Sequence, residues 1–134
     1  MTAIVMDGKA LAARVREDVA RDVAALGHIG LATVLVGDDP ASHVYIEAKH
    51  KAATAAGIEA RDVRMPASST QAEVLAAVEQ LNHDESVDGI LVQLPLPEGM
   101  DETAVTYAVD PMKDVDGFHP LNAGNLYLGT PLHV

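Results

Sequence analysis

Two runs of branched apolar residues, 31–36 and 87–94, constrain the fold of this 134-residue chain more than any other feature. The first ends at Gly37, and the second is apolar almost throughout. Unbroken apolar runs of this length read as strands buried on both faces, whereas a strand with one wet face alternates. A third, more polar stretch, 58–65, reads as a strand nearer a sheet edge. Helical signals fill the intervals. Over 7–26, Leu11, Val15, Val19 and Val23 recur every fourth residue, with Asp7 as N-cap and Gly27 as the stop. Asp39-Pro40 opens a second helix, which Gly57 closes. Thr70-Gln71-Ala72-Glu73 is a capping box that starts a third, running to about Asn82. A short helix over 102–109 follows, capped by Asp101.

Strands alternating with helices predict an α/β fold, a layered α/β/α domain around a mostly parallel sheet. Its core is built from Ala, Val, Leu and Ile, because only 3% of the residues are aromatic and none is Trp. Ligands of such sheets gather beyond the carboxyl ends of the strands. Gly37-Asp38-Asp39, Gln93-Leu94-Pro95 and the segment around Asp116 all fall where they can meet there.

Charge removes several functions. With 9 Lys+Arg against 20 Asp+Glu the net charge is −11, which argues against a nucleic acid or an anionic membrane surface as partner. No run of about 18 apolar residues predicts a membrane span, and no basic, then apolar N-terminus predicts secretion, so the expected location is cytoplasmic. Without cysteine there is no disulfide, no thiolate chemistry and no Cys-based zinc site. His28, His43, His50, His83, His119 and His133 lack the spacing of a zinc helix, and no metal is expected. His43 and His50 flank the Tyr45–Lys49 face and read as surface residues. No glycine-rich phosphate loop occurs, so a nucleotide site has to lie elsewhere.

Three segments carry candidate chemistry. Ser42, Tyr45 and Lys49 fall on one face of the second helix, where they can wall a pocket or belong to a solvated amphipathic surface. Lysine suits an electrophilic carbon, because burial frees its lone pair. Gln93 ends an apolar strand, either as a ligand or partner of Lys49 or as the first solvated residue past the sheet. Pro95 and Pro97 then force an extended exit. Asp110, Asp114 and Asp116 crowd one loop; the spacing lacks the late bidentate Glu of a calcium loop. Turn chemistry is the plain reading for Asp110 and Asp114, whereas an ionised carboxylate can also accept paired N–H donors from a heterocycle.

Taken in order, the segments Val36-Gly37-Asp38-Asp39-Pro40-Ala41-Ser42 into Tyr45-Ile46-Glu47-Ala48-Lys49-His50-Lys51, Asp88-Gly89-Ile90-Leu91-Val92-Gln93-Leu94-Pro95-Leu96-Pro97 and Lys113-Asp114-Val115-Asp116-Gly117-Phe118 resemble the bifunctional methylenetetrahydrofolate dehydrogenase/methenyltetrahydrofolate cyclohydrolase family. The likeness runs the length of the chain, to Asn122-Ala123-Gly124. It implies that 1–134 is the N-terminal, tetrahydrofolate-binding catalytic domain of a two-domain enzyme. The NADP-binding Rossmann domain and a closing helix are expected beyond it, and the apolar ending Leu132-His133-Val134 reads as a cut just before them.

By position, the resemblance makes Lys49 the catalytic lysine, Gln93 its partner and Tyr45 the ring stacked on the substrate. Asp116 holds the pterin, and Ser42, Leu94 and Pro95 border the same cleft. The implied reactions oxidise 5,10-methylenetetrahydrofolate with NADP and hydrolyse the methenyl product to 10-formyltetrahydrofolate, in a homodimer. Two other classes stay open on sequence grounds: a folate-binding or assembly module without turnover, and an unrelated regulatory or dimerisation domain.

Overall fold

The computed structural model describes residues 5–38 and 40–130, side chains excepted at 40–44. The described elements are α1 (Gly8–Leu26), β1 (Gly30–Val36), α2 (Pro40–Ala55), β2 (Glu59–Met65), α3 (Gln71–His83), β3 (Gly89–Val92), α4 (Glu102–Tyr107) and α5 (Pro120–Tyr127). The strands form one parallel sheet in the order β2-β1-β3, so β2 is an edge, as its polarity predicts. The register pairs Val34 with Val63 on one side and with Val92 on the other.

Alternation along β1 divides the core between two faces. Ala32, Val34 and Val36 join Ile90 and Val92 under Val74, Val78 and Leu81 of α3, Val105 of α4, and Val109. Thr33 points the other way, to α2, whose buried residues include Ile46 and Ala53. The sheet therefore has helices on both faces, the layered α/β arrangement expected.

The predicted caps form. Asp7 accepts from Ala10 N at 3.0 Å. Thr70 and Glu73 complete the capping box in both directions, and Asp101 accepts from Ala104 N at 2.9 Å. Gly27 and Gly57, both at positive φ, follow α1 and α2 where side chains would be strained. Asp39, expected to cap α2, lies outside the described residues.

Three features depart from the sequence reading. The stripe on α1 exists, but Leu11 and Val15 are about half exposed and only Val23, beside Gly57, is buried. The third strand is shorter than the apolar run. Its ladder spans Gly89–Val92, since the Asp88 carboxylate takes the Gly30 N–H at 2.7 Å and Gln93 keeps a single rung to Val34 O at 2.9 Å. The third departure is α5, which the sequence does not signal: Asn122, Gly124 and Asn125 are weak helix formers. It forms because His119 Nδ1 accepts from Leu121 N and Pro120 occupies the first turn. Asn122, buried, ties it to Pro111 O and to Asp114.

Beyond β3, a parallel bridge pairs Ile90 with Asp114. Ile90 N donates to Lys113 O at 2.6 Å. The aspartate-rich loop is thus laid along the outer edge of β3, which brings it to the strand end where Gln93 emerges.

Candidate functional site

The site is assembled from α2, the end of β3 and the loop after α4. Lys49 is on the exposed flank of α2, and its Nζ donates to Gln93 Oε1 at 3.1 Å across 44 residues of sequence. Gln93 is held at both ends of its side chain: its Nε2 donates to Leu94 O at 2.7 Å. With the backbone fixed to β1 and the amide nitrogen engaged, the oxygen is left facing the ammonium. Gln93 is half-buried at the strand end and accepts from Lys49 there.

The aspartates sort by what their oxygens do. Asp110 accepts from Met112 N at 2.8 Å, a turn contact. Asp114 accepts from Gly117 N, His119 N and Asn122 Nδ2. Both carry out the turn chemistry expected of them. Asp116 accepts no such bond among the described residues. Partial burial raises its pKa above the usual carboxylate value; the Lys49 charge lowers it and the Asp114 charge raises it further. Lys49 and Gln93 are thus in contact, and the Lys49 charge is felt at Asp116, although the three come from separate segments.

Beside Asp116 is a small cleft lined by Ile90, Val92, Thr106, Val109, Asp114 and Phe118. Thr106 and Phe118 also line a neighbouring open hollow of about 230 Å³, with Leu94, Tyr107 and Glu102. Asp114 and Asp116 line the small cleft, while apolar and aromatic groups line the hollow beside it. Pro95 faces a different hollow, with Gly37, Asp38 and Pro97, so Leu94 and Pro95 border two sides of the exit loop. Tyr45 stands one turn before Lys49 and is 66% exposed, a free ring face rather than a core residue. The Ser42 side chain lies outside the described residues.

Sequence reasoning passed over Thr106 and Phe118. Thr106 is buried on a short helix and returns its hydroxyl to Glu102 O, so no local signal marks it. Phe118, the chain's one Phe, directly follows the Asp-Gly turn and was within reach of inspection. His50 corrects the surface role expected of it: its ring lies between α2 and the sheet, with Nε2 3.3 Å from Thr33 Oγ1 and 3.0 Å from Asp62 Oδ1. The reason is helical phase, which puts residue 50 on the stripe of Ile46 and Ala53. Among the described residues, no three His, Asp or Glu side chains gather as a metal-binding group.

The fold is a parallel α/β sheet covered on both faces, a type whose ligands gather beyond the carboxyl ends of the strands. Residues 6–116 match the family model described as tetrahydrofolate dehydrogenase/cyclohydrolase, catalytic domain, and the chain belongs to that family. It is 58% identical over 135 residues to the "Bifunctional protein FolD" of Acidiphilium cryptum, which aligns with 100% of this chain and 48% of that protein. The Bradyrhizobium protein of the same name is 54% identical, with 98% and 46% covered. This chain thus spans about half the length of the curated relatives it matches.

Among solved structures, a 5,10-methylenetetrahydrofolate dehydrogenase from the silkworm Bombyx mori superposes with a TM-score of 0.91 at 41% identity, over 97% of this chain and 47% of that one. The Trypanosoma brucei dehydrogenase-cyclohydrolase, complexed with NADP cofactor and inhibitor, gives 0.88 at 36% identity, over 96% and 46%.

Proposed function

We propose that this chain binds a reduced folate and supplies the residues that act on it in a methylenetetrahydrofolate dehydrogenase/methenyltetrahydrofolate cyclohydrolase. The observation that carries the reading is the 3.1 Å contact between Lys49 Nζ and Gln93 Oε1 beside Asp116, in a chain of this family. Asp116 accepts the pterin's ring N–H and exocyclic amine as a pair, a directional contact for an ionised carboxylate. The exposed ring of Tyr45 stacks on the ligand. Leu94, with Ser42 on α2, borders the bound molecule, while Pro95 shapes the exit loop from its other side.

In the hydrolytic step, water adds to the amidinium carbon of the methenyl compound and gives up a proton. The bond from that carbon to N5 then breaks as N5 takes up a proton and the new hydroxyl gives up its own to become the formyl C=O, leaving 10-formyltetrahydrofolate and, in net, one proton for release. Lys49 carries that proton when its amine is neutral, and Gln93 holds the amine in line. For the oxidative step the family reading calls for NADP. This chain's residues do not fit it: no glycine-rich loop opens any of its helices. The dinucleotide belongs with the half of the relatives that this chain does not span, and the chain's own part is to bind and orient the folate. Taken alone it is a folate binder; homodimerisation of the complete enzyme and a cytoplasmic location are part of the same proposal. No described helix is long and apolar enough to cross a membrane.

The test is thermal stabilisation of this chain by tetrahydrofolate. The expected result is a dose-dependent rise in Tm that Asp116→Ala removes without altering the unliganded circular dichroism spectrum. Stabilisation by NADP but not by tetrahydrofolate would overturn the assignment. In the complete enzyme, Lys49→Met is expected to stop hydrolysis of methenyltetrahydrofolate, read by its absorbance, while folate still binds.

A further inference from the structure

The helix that carries Lys49 is held to the sheet by an unusual contact. Its buried stripe runs Ile46, His50, Ala53, and the residues around it are largely alanine. Alanine ridges are shallow, so packing alone fixes the rotation of such a helix weakly. In the middle of this stripe sits an imidazole. His50 Nε2 is 3.3 Å from Thr33 Oγ1 on β1 and 3.0 Å from Asp62 Oδ1 on β2. Thr33 is 1% exposed, and the His50 and Asp62 side chains are 21% and 18% exposed. Asp62 Oδ1 is closed off from water and has no hydrogen-bond donor of its own among the described residues, so the imidazole is the polar group that faces it. The other oxygen, Oδ2, is held by Arg64 through Nε at 3.1 Å and a terminal nitrogen at 2.8 Å. The carboxylate is therefore anchored to its own strand and presents a fixed target to the helix.

We propose that His50, seated between Thr33 and Asp62, is the positioning residue that sets the rotation of α2 and so places the Lys49 amine beside Gln93. The inference rests on the reading that Lys49 and Gln93 work as a pair. A group about 6 Å from a helix axis moves about 2 Å when the helix turns by about 20°. That displacement is enough to break a 3.1 Å contact between a lysine on α2 and an amide fixed to the sheet. Apolar replacements at 50 keep the helix packed but let it turn; the Nε2 contact with Thr33 Oγ1, made beside the Asp62 carboxylate, does not.

The experiment uses this chain and no folate. Its lysines are acylated with limiting acetic anhydride at one pH, and the rate at Lys49 is read by mass spectrometry against Lys9, Lys51 and Lys113. In His50→Ala, Lys49 is expected to react about three- to tenfold faster, because its amine is released from Gln93, while the other lysines keep their rates. His50→Gln, whose amide nitrogen reaches the height of Nε2, is expected to restore the wild-type rate. Val78→Ala, a cavity on the opposite face of the sheet, controls for general loosening and is expected to leave Lys49 unchanged.

A folded His50→Ala with the wild-type rate at Lys49 overturns the proposal, as does equal acceleration in Val78→Ala. If His50→Ala does not fold, Asp62→Asn, which keeps the size of the carboxylate, carries the same comparison. Because the readout needs no ligand, loss of the folate reading and loss of this one are separate results: a chain that ignores tetrahydrofolate but shows the labelling pattern refutes only the first.

Discussion

Asp116 holds its proton more tightly in the folded chain than a free aspartate does, chiefly because it is partly buried. A group whose folded pKa is raised gives the fold its full stability below the unfolded value, and that stability is lost as pH rises through the folded pKa. Asp116 is thus a local liability at neutral pH, the usual price of a group kept ready for a ligand. Asp116→Asn is expected to raise Tm at about pH 7 and to leave it unchanged at about pH 3, where the wild-type carboxyl is protonated as well. Two thermal melts check this. Equal Tm values at both pH values would show that residue 116 is not strained by its surroundings.

At this scale the sequence was legible where a residue's chemistry is rare and opaque where it is common. Asp116 differs from Asp110 and Asp114 only in its lack of backbone donors, a property of the folded loop. Spacing along the chain does not reveal it; among the three, Asp116 was singled out by the family resemblance alone. His50 was misread for the related reason that only helical phase combined with sheet order shows what a side chain meets.

Among elements, local chemistry was the better guide. The capping box at Thr70 was plain in sequence and is complete in the structure, with Thr70 N donating to Glu73 at 2.7 Å and Glu73 N to Thr70 Oγ1 at 3.3 Å. Thr70→Ala is expected to lower the unfolding free energy by about 1 kcal/mol, read as a shift of the urea midpoint with unchanged slope. The site lies on other elements, so tetrahydrofolate affinity is expected to be unaffected. What local chemistry did not give was α5 or the true length of β3. Both are decided by distant partners: Asn122 reaching Asp114, and Asp88 taking the Gly30 N–H in place of a ladder bond. The stripe on α1 shows the converse, a strong periodicity that the described residues bury only at Val23.

The whole molecule is tied together at one lysine. Lys113 Nζ donates to the carbonyls of Leu81, Asn82 and Asp84, while its own carbonyl receives the Ile90 N–H. Asn82 adds bonds to Ala108 O and from Asp110 N. The end of α3, the edge of β3 and the loop bearing Asp116 are thereby joined in one network, with the ammonium favourably placed at a helix C-terminus. Lys113→Met keeps the aliphatic stem but removes the ammonium from three carbonyls, of which Leu81 O keeps Asp84 N and Asp84 O keeps Val87 N as donors. It is expected to cost about 2–3 kcal/mol in urea unfolding and to weaken tetrahydrofolate binding at a distance from the ligand. Destabilisation with wild-type affinity would separate the network from the placement of Asp116.

The way the chain leaves the sheet also bears on how such a domain diversifies. The last rung of the ladder falls on Gln93 itself, and the Glu102 carboxylate takes hold of the backbone again at Leu96 N, 2.7 Å away. Within the loop that this clamp closes, Glu98 and Gly99 are exposed. An insertion between them lengthens the lip above the strand ends without transmitting a register change to the amide. Descendants of this fold can therefore be grafted with longer rims, to admit bulkier ligand tails, while the reacting groups underneath stay where they are.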